Sequence, residues 1–211
     1  MQAYPAISQI FLLACGILAS ILKVATDLLA GIRWKGYSFV SQSISVLSAE
    51  GAPTRSLVLP LDVAYDVLMV AFAIGVWQLA AGNQLMRIAA ALIAGNAVLS
   101  LLVILLLPMS IDQDGTPSAT TVHVVLMATA MFFFLFAMGF GGAACQDWFR
   151  YYSFGTLLAY VLLAVARFAL PSPATVGPPI ATVGIQERTM VVGYLLWVVA
   201  LAIHEASQMS T

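Results

Sequence analysis

The sequence predicts an all-α polytopic membrane protein, a single bundle of six transmembrane helices with a longer Ser-rich loop between helices one and two. Three observations carry that prediction. Of the 211 residues, 62% are hydrophobic and only 8% are charged, against about 25% charged in soluble domains. Mean hydropathy is +1.01. Apolar stretches of about 20 residues, enough to cross a hydrocarbon core of roughly 30 Å at about 1.5 Å per residue, recur along the chain. They lie at 7–30, 60–81, 86–108, 120–144, 151–170 and 188–206. The longest connection, 31–59, leaves no room for a soluble domain, so residues 1–211 read as one domain.

The first stretch could pass for a secretion signal, and Leu12-Leu13-Ala14-Cys15 resembles the box before a lipid-modified cysteine. No Lys or Arg precedes Lys23, so the positive n-region is missing and the stretch reads as the first membrane helix. Gly75 in the second helix, Ala89, Ala90, Ala91, Ala94 and Gly95 in the third, and Gly139, Gly141 and Gly142 in the fourth are small residues that let helix backbones approach closely. Asn96 and Ser100 share a face of the third helix, where an amide serves as interhelical glue. Cys15 and Cys145 have no partners in metal-ligand spacing and read as packed thiols. No internal repeat marks a transporter of inverted halves.

Charge in hydrocarbon is expensive, so the ionisable residues near the helix ends mark the candidate site. With six crossings, the connections after helices one, three and five share one side. Asp27, Glu50, Asp62, Asp66, Asp112, Asp114 and Glu187 belong to that side, leaving only Asp147 and Glu205 for the other. Lys23 and Asp27, like Asp62 and Asp66, are spaced i, i+4 and project from single helix faces. Lys23 and Arg167 are the cations available to Asp27, Asp62 or Asp66. The expected polar pocket is Lys23, Asp62, Asp66, His123 and Arg167. Asp27, Glu187 and Arg188 are secondary, since shallow charges can snorkel or simply pin helices together.

The first long loop mixes hydroxyls with apolar residues from Tyr37 to Ser48, then turns through Ala49-Glu50-Gly51-Ala52-Pro53-Thr54-Arg55. It is expected to lie over the charged layer, with Ser41, Ser45, Ser48, Glu50 and Arg55 above the pocket. No metal is assigned. Asp62, Asp66, His123, Asp112 and Asp114 do not form a metal motif, His204 and Glu205 lie at the opposite end, and Asp112-Gln113-Asp114-Gly115 lacks the remaining acids of a calcium loop. The loop serines bring no nucleophile elbow, so catalysis stays undecided and no cofactor is named.

The run Ser45-Val46-Leu47-Ser48-Ala49-Glu50-Gly51-Ala52-Pro53-Thr54-Arg55 before a Gly-containing helix resembles the hallmark segment of the domain of unknown function 998 family. These are small multi-pass proteins of bacteria and archaea. Pro108 through Asp112 to His123 resembles the family's proline and acidic loop before a helix-opening histidine, and Glu187/Arg188 resembles its Glu-Arg pair opening the last helix. The family commonly has an acid after Ser-x, where this chain has Val46-Leu47 and a displaced Glu50. The resemblance implies a multi-pass helical fold and a functional face, with no established reaction.

Two function classes follow. In one, the polar layer binds a lipid, quinone, ion or other small ligand. In the alternative, the chain is a non-catalytic accessory subunit packed against a larger membrane complex. Membrane lipids are expected partners in both and other membrane-protein subunits in the second; nucleic acid is not expected in either. The expected location is the cytoplasmic membrane. Arg33, Lys35, Arg55 and Arg188 against Arg87 and Arg150 put the acidic face in the cytoplasm.

Overall fold

The computed structural model describes residues 7–111, 117–169 and 183–209, the side chains of 117, 164 and 166–169 excepted. Six helices carry the fold: α1 (Ile7–Arg33), α2 (Arg55–Leu79), α3 (Gln84–Leu106), α4 (Thr121–Ala144), α5 (Trp148–Ala169) and α6 (Val183–Gln208). Each packs on its neighbours in sequence, and α6 closes the ring onto α1. Trp197, Phe72, Phe149, Met69, Ile93 and Met138 fill the centre and are fully buried. The outward faces are apolar as well, with Phe11, Leu18, Ile21 and Leu28 of α1 and Val122, Val125, Phe132 and Phe136 of α4 exposed. A bundle apolar both inside and out suits lipid as its solvent.

Five helices, α1, α2, α3, α4 and α6, are long and apolar enough to cross a membrane. Among the described residues α5, which spans 22 residues and begins at Trp148, is not in that set. Two helices start about five residues before their apolar stretches. α2 begins at Arg55 with Pro60 inside it, where the ring removes one backbone bond without ending the helix. α6 begins at Val183, so Glu187 and Arg188 sit within its opening turns.

The two ends differ. At one, the α2–α3 turn and the α4–α5 turn are tied by Asn83 Nδ2 donating to the Ala144 carbonyl (3.0 Å), while Asn83 also caps α3 through Leu85 and Met86 N–H. At the other, the α1–α2 connection folds into a 3₁₀ turn (Ile44–Ser48) with Ile44, Val46, Leu47 and Ser48 buried. Gly51 takes φ +88° there, a conformation open to glycine. Glu50 N–H donates to Met109 O (2.7 Å) and Ile111 N–H to Glu50 O (2.8 Å), which joins the connection to a small hairpin of β1 (Ser110–Ile111) and β2 (Pro117–Ser118). Ile185 N–H donates to Val40 O (3.2 Å), adding the start of α6. These segments together cap that end of the ring.

Candidate functional site

Under the cap lies a cavity of about 410 Å³. Its polar side is made by Lys23 of α1, Ser45 and Ser48 of the 3₁₀ turn, Asp62 of α2, His123 of α4 and Glu187 of α6. Its apolar walls include Met127, Met131 and Phe134 of α4 and Met190 and Val191 of α6. The separation follows from where the helices end. The charged side chains lie toward the cap, in the opening turns of α4 and α6 and further along α1 and α2, while the deeper lining is mainly apolar, broken by Asn96, Ser100 and Tyr194.

Lys23 Nζ donates to Asp62 Oδ1 at 2.6 Å, with the lysine half-buried and the aspartate buried. Lys23 also lies 5.4 Å from the centre of the Tyr65 ring, a cation–π contact that adds to the pair. His123 is buried at the start of α4, where Thr120 Oγ1 accepts from its backbone N–H. Its Nδ1 lies 2.7 Å from the Leu107 carbonyl. A carbonyl can only accept, so Nδ1 carries the proton, and in the neutral ring Nε2 is left as an acceptor. No partner for Nε2 occurs among the described residues. Glu187 Oε2 accepts from the Ile44 N–H (2.8 Å), which fixes the 3₁₀ turn to α6.

Asp66, expected in the pocket, lies one turn below Asp62, is 1% exposed and is not among the residues that line the cavity. Ser100 hydrogen-bonds to its carboxyl, but Oδ1 has no partner among the described residues. The hydroxyl of Tyr194, which lines the cavity, is likewise buried without a partner. Asn96, also on the lining, donates through Nδ2 to the Ala130 carbonyl at 2.7 Å and joins α3 to α4. Buried polar atoms without partners cost about 1–3 kcal/mol each, so such atoms beside a cavity are functional candidates.

Asp27 does not face Lys23. It accepts a two-pronged bond from Arg188, Nε to Oδ2 at 2.9 Å and Nη2 to Oδ1 at 2.8 Å. The same guanidinium donates to the carbonyls of Phe39 (2.8 Å), Gln42 (3.0 Å) and Gly184 (3.1 Å) and to Tyr37 Oη (2.6 Å), and it stacks against the Phe39 ring. Burial raises the Tyr37 phenol above its ordinary value despite Arg188, so it remains a neutral hydroxyl there, donating to Ser43 O (2.8 Å). Arg188 is thus the peg on which the cap hangs.

The loop residues divide. Ser45 and Ser48 line the cavity. Arg55 donates to the Ser48 carbonyl and holds the 3₁₀ turn from beneath. Ser41 is exposed and bonds locally to Ser38, and Glu50 is exposed and acts through its backbone. Asp112, Asp114 and the Arg167 side chain lie outside the described residues.

A family model described as a protein of unknown function (DUF998) matches residues 17–204. The chain belongs to the DUF998 family. No curated protein and no solved structure matches it. The family match runs from α1 to the last turns of α6 and so takes in both the cap and the cavity of this DUF998 protein.

A second cluster sits at the opposite end of the DUF998 bundle, where linear spacing gave no signal. Cys145 and Asp147 of the α4–α5 turn meet His204 of α6, whose Nε2 is 2.7 Å from Asp147 Oδ2. Burial opposes ionisation of Asp147, but hydrogen bonds from His204 and the Phe149 N–H outweigh it and hold the carboxyl below its usual range. The signal available in the sequence was Cys-x-Asp at a turn together with His-Glu near the end of the last helix. Only the ring closure of α6 brings them within reach.

Proposed function

We propose that this protein binds an uncharged amphiphile in the capped cavity, its hydroxyl-bearing head among Lys23, Asp62, His123 and Glu187 and its tail along Met127, Met131 and Phe134. The observation that carries this is the two-sided lining, polar under the cap and methionine-rich below it. A volume near 410 Å³ lies within the usual ligand range of about 300–1,000 Å³, and methionines fit irregular chains. The charge balance favours a neutral head. Lys23 is already paired with Asp62, and Glu187 adds a second acid to the lining, so an anionic phosphate would meet more carboxyls than cations. The unpartnered His123 Nε2 accepts a hydrogen bond from such a hydroxyl.

In this reading the chain crosses six times, with α5 completing the ring, and the cap lies on the cytoplasmic side of the cell membrane. The binding test is native mass spectrometry of the detergent-purified protein, with extraction and identification of any retained small molecule. A neutral amphiphile is expected at about one per chain, lost in Met131→Trp, which fills the apolar side. A protein that retains only anionic phospholipid, or nothing, and that instead co-purifies stoichiometrically with another membrane protein, would favour the accessory-subunit reading.

A further inference from the structure

The end opposite the cavity carries a set of donors that neither the fold nor the amphiphile reading uses. Cys145 and Asp147 flank Gln146 in the α4–α5 turn, and His204 comes from α6. One donor atom from each, the thiol sulfur, a carboxylate oxygen and a ring nitrogen, lies within 4.8 Å of the other two. Glu205 adds a second carboxylate, its Oε1 3.4 Å from His204 Nδ1. The imidazole is held before any ion arrives: Phe149 stacks on it at 5.1 Å and 26°, and Trp148 meets it edge-on at 6.0 Å. Cys145, His204 and Glu205 are buried, while the Asp147 side chain is 41% exposed and leaves a path to water.

We propose that Cys145, Asp147 and His204 bind a zinc ion, with water in the fourth position. Thiolate, imidazole and carboxylate together are the borderline-soft donor set that zinc takes. Bond lengths of about 2.0–2.3 Å in a tetrahedron put ligand atoms about 3.2–3.8 Å apart, so donors now within 4.8 Å of one another need small shifts, with the 2.7 Å bond between His204 Nε2 and Asp147 Oδ2 opening to admit the ion. Binding removes the Cys145 proton to solvent, and the ion's two positive charges offset a thiolate and a carboxylate that would otherwise sit beside apolar rings. The ion would tie the α4–α5 turn to the end of α6 through coordinate bonds at the end opposite the cap.

The test uses the full chain in detergent, purified through a tag that binds no metal. Elemental analysis is expected to find about one zinc per chain. After chelation, cobalt(II) added alone should produce a thiolate charge-transfer band in the near ultraviolet, lost in Cys145→Ser and kept in Cys15→Ser. Zinc should raise the melting temperature of the wild type and not of His204→Gln. Should the variants fail to fold, X-ray absorption at the zinc edge of the wild type reads sulfur in the coordination shell directly. A wild-type protein that takes up neither ion stoichiometrically, or whose zinc shell lacks sulfur, has a hydrogen-bonded network only and overturns the proposal.

Discussion

At the scale of single residues, partner identity decides what a charge does. Arg188 and Asp27 are 14% and 12% exposed in their side chains and joined by two bonds, a geometry that lysine cannot reproduce. Arg188→Ala is expected to cost about 3–5 kcal/mol, because it leaves a buried carboxylate alone and frees the cap. Arg188→Lys should fall between that and wild type, read as melting temperature in detergent; a lysine variant as stable as wild type would refute the fork as the peg. Asp66 predicts the opposite sign. Its Oδ1 is buried without a partner among the described residues, so Asp66→Asn should raise stability by about 1–2 kcal/mol, and if its charge supports the Lys23–Asp62 pair above it, amphiphile retention should weaken as well. Loss of stability with retention unchanged would make Asp66 a packing residue.

At the scale of elements, small residues set how near the helices come. A Cβ on Gly142 would stand 2.6 Å from Ser153 Cβ at the α4–α5 crossing, whereas one on Gly139 would find nothing closer than Leu157 Cδ1 at 3.7 Å. Gly142→Ala is therefore expected to cost about 1–3 kcal/mol. Gly139→Ala should be neutral or gain up to about 1 kcal/mol from helix propensity. Chemical denaturation of both variants decides it, and equal effects would mean that the crossing is looser than drawn. At Gly184 a Cβ would press on the carbonyls of Gln42 and Phe39, so Gly184→Ala should lift the cap, measured as faster proteolysis between residues 37 and 48. In sequence, Gly139, Gly141 and Gly142 were indistinguishable as packing residues, because composition records size but not which side of a helix meets a neighbour. The starts of α2 and α6 were missed for a related reason. Their opening residues interrupt the apolar run, with Arg55, Ser56 and Pro60 in α2 and Gln186, Glu187 and Arg188 in α6, and the cap shields them: Thr54 Oγ1 donates to Leu47 O (2.8 Å), and Glu187 and Arg188 bond to the 3₁₀ turn and to the stretch before it.

At the scale of the whole molecule, closure of α6 onto α1 makes both ends functional candidates at once. It brings Glu187 to Lys23 and Asp62 at the capped end, and His204 to Cys145 and Asp147 at the turn end. In the proposed six-crossing path these ends lie on opposite sides of the membrane. In a Cys15→Ser background, with Cys145 buried, a membrane-impermeant thiol reagent should reach Ser41→Cys and Gln84→Cys, both exposed positions, from opposite sides. Labelling of Ser41→Cys from outside intact cells would reverse the proposed orientation, and labelling of both from one side would refute the six-crossing path.

The sequence by itself determined the helical membrane class, the family, and the position of every helix to within about five residues at each end. These depend on local quantities, since a run of apolar side chains is read the same way whatever surrounds it. It also marked the charged layer, because charge in hydrocarbon is costly in any fold. Pairing was decided only by the tertiary structure. Lys23 went to Asp62 and Asp27 to Arg188 although Lys23 and Asp27 are spaced for each other, as ion pairs form by direction and distance between helices rather than by spacing along one. The meeting of Cys145 with His204 belongs to the same class: residues far apart in the chain become neighbours only once the ring has closed.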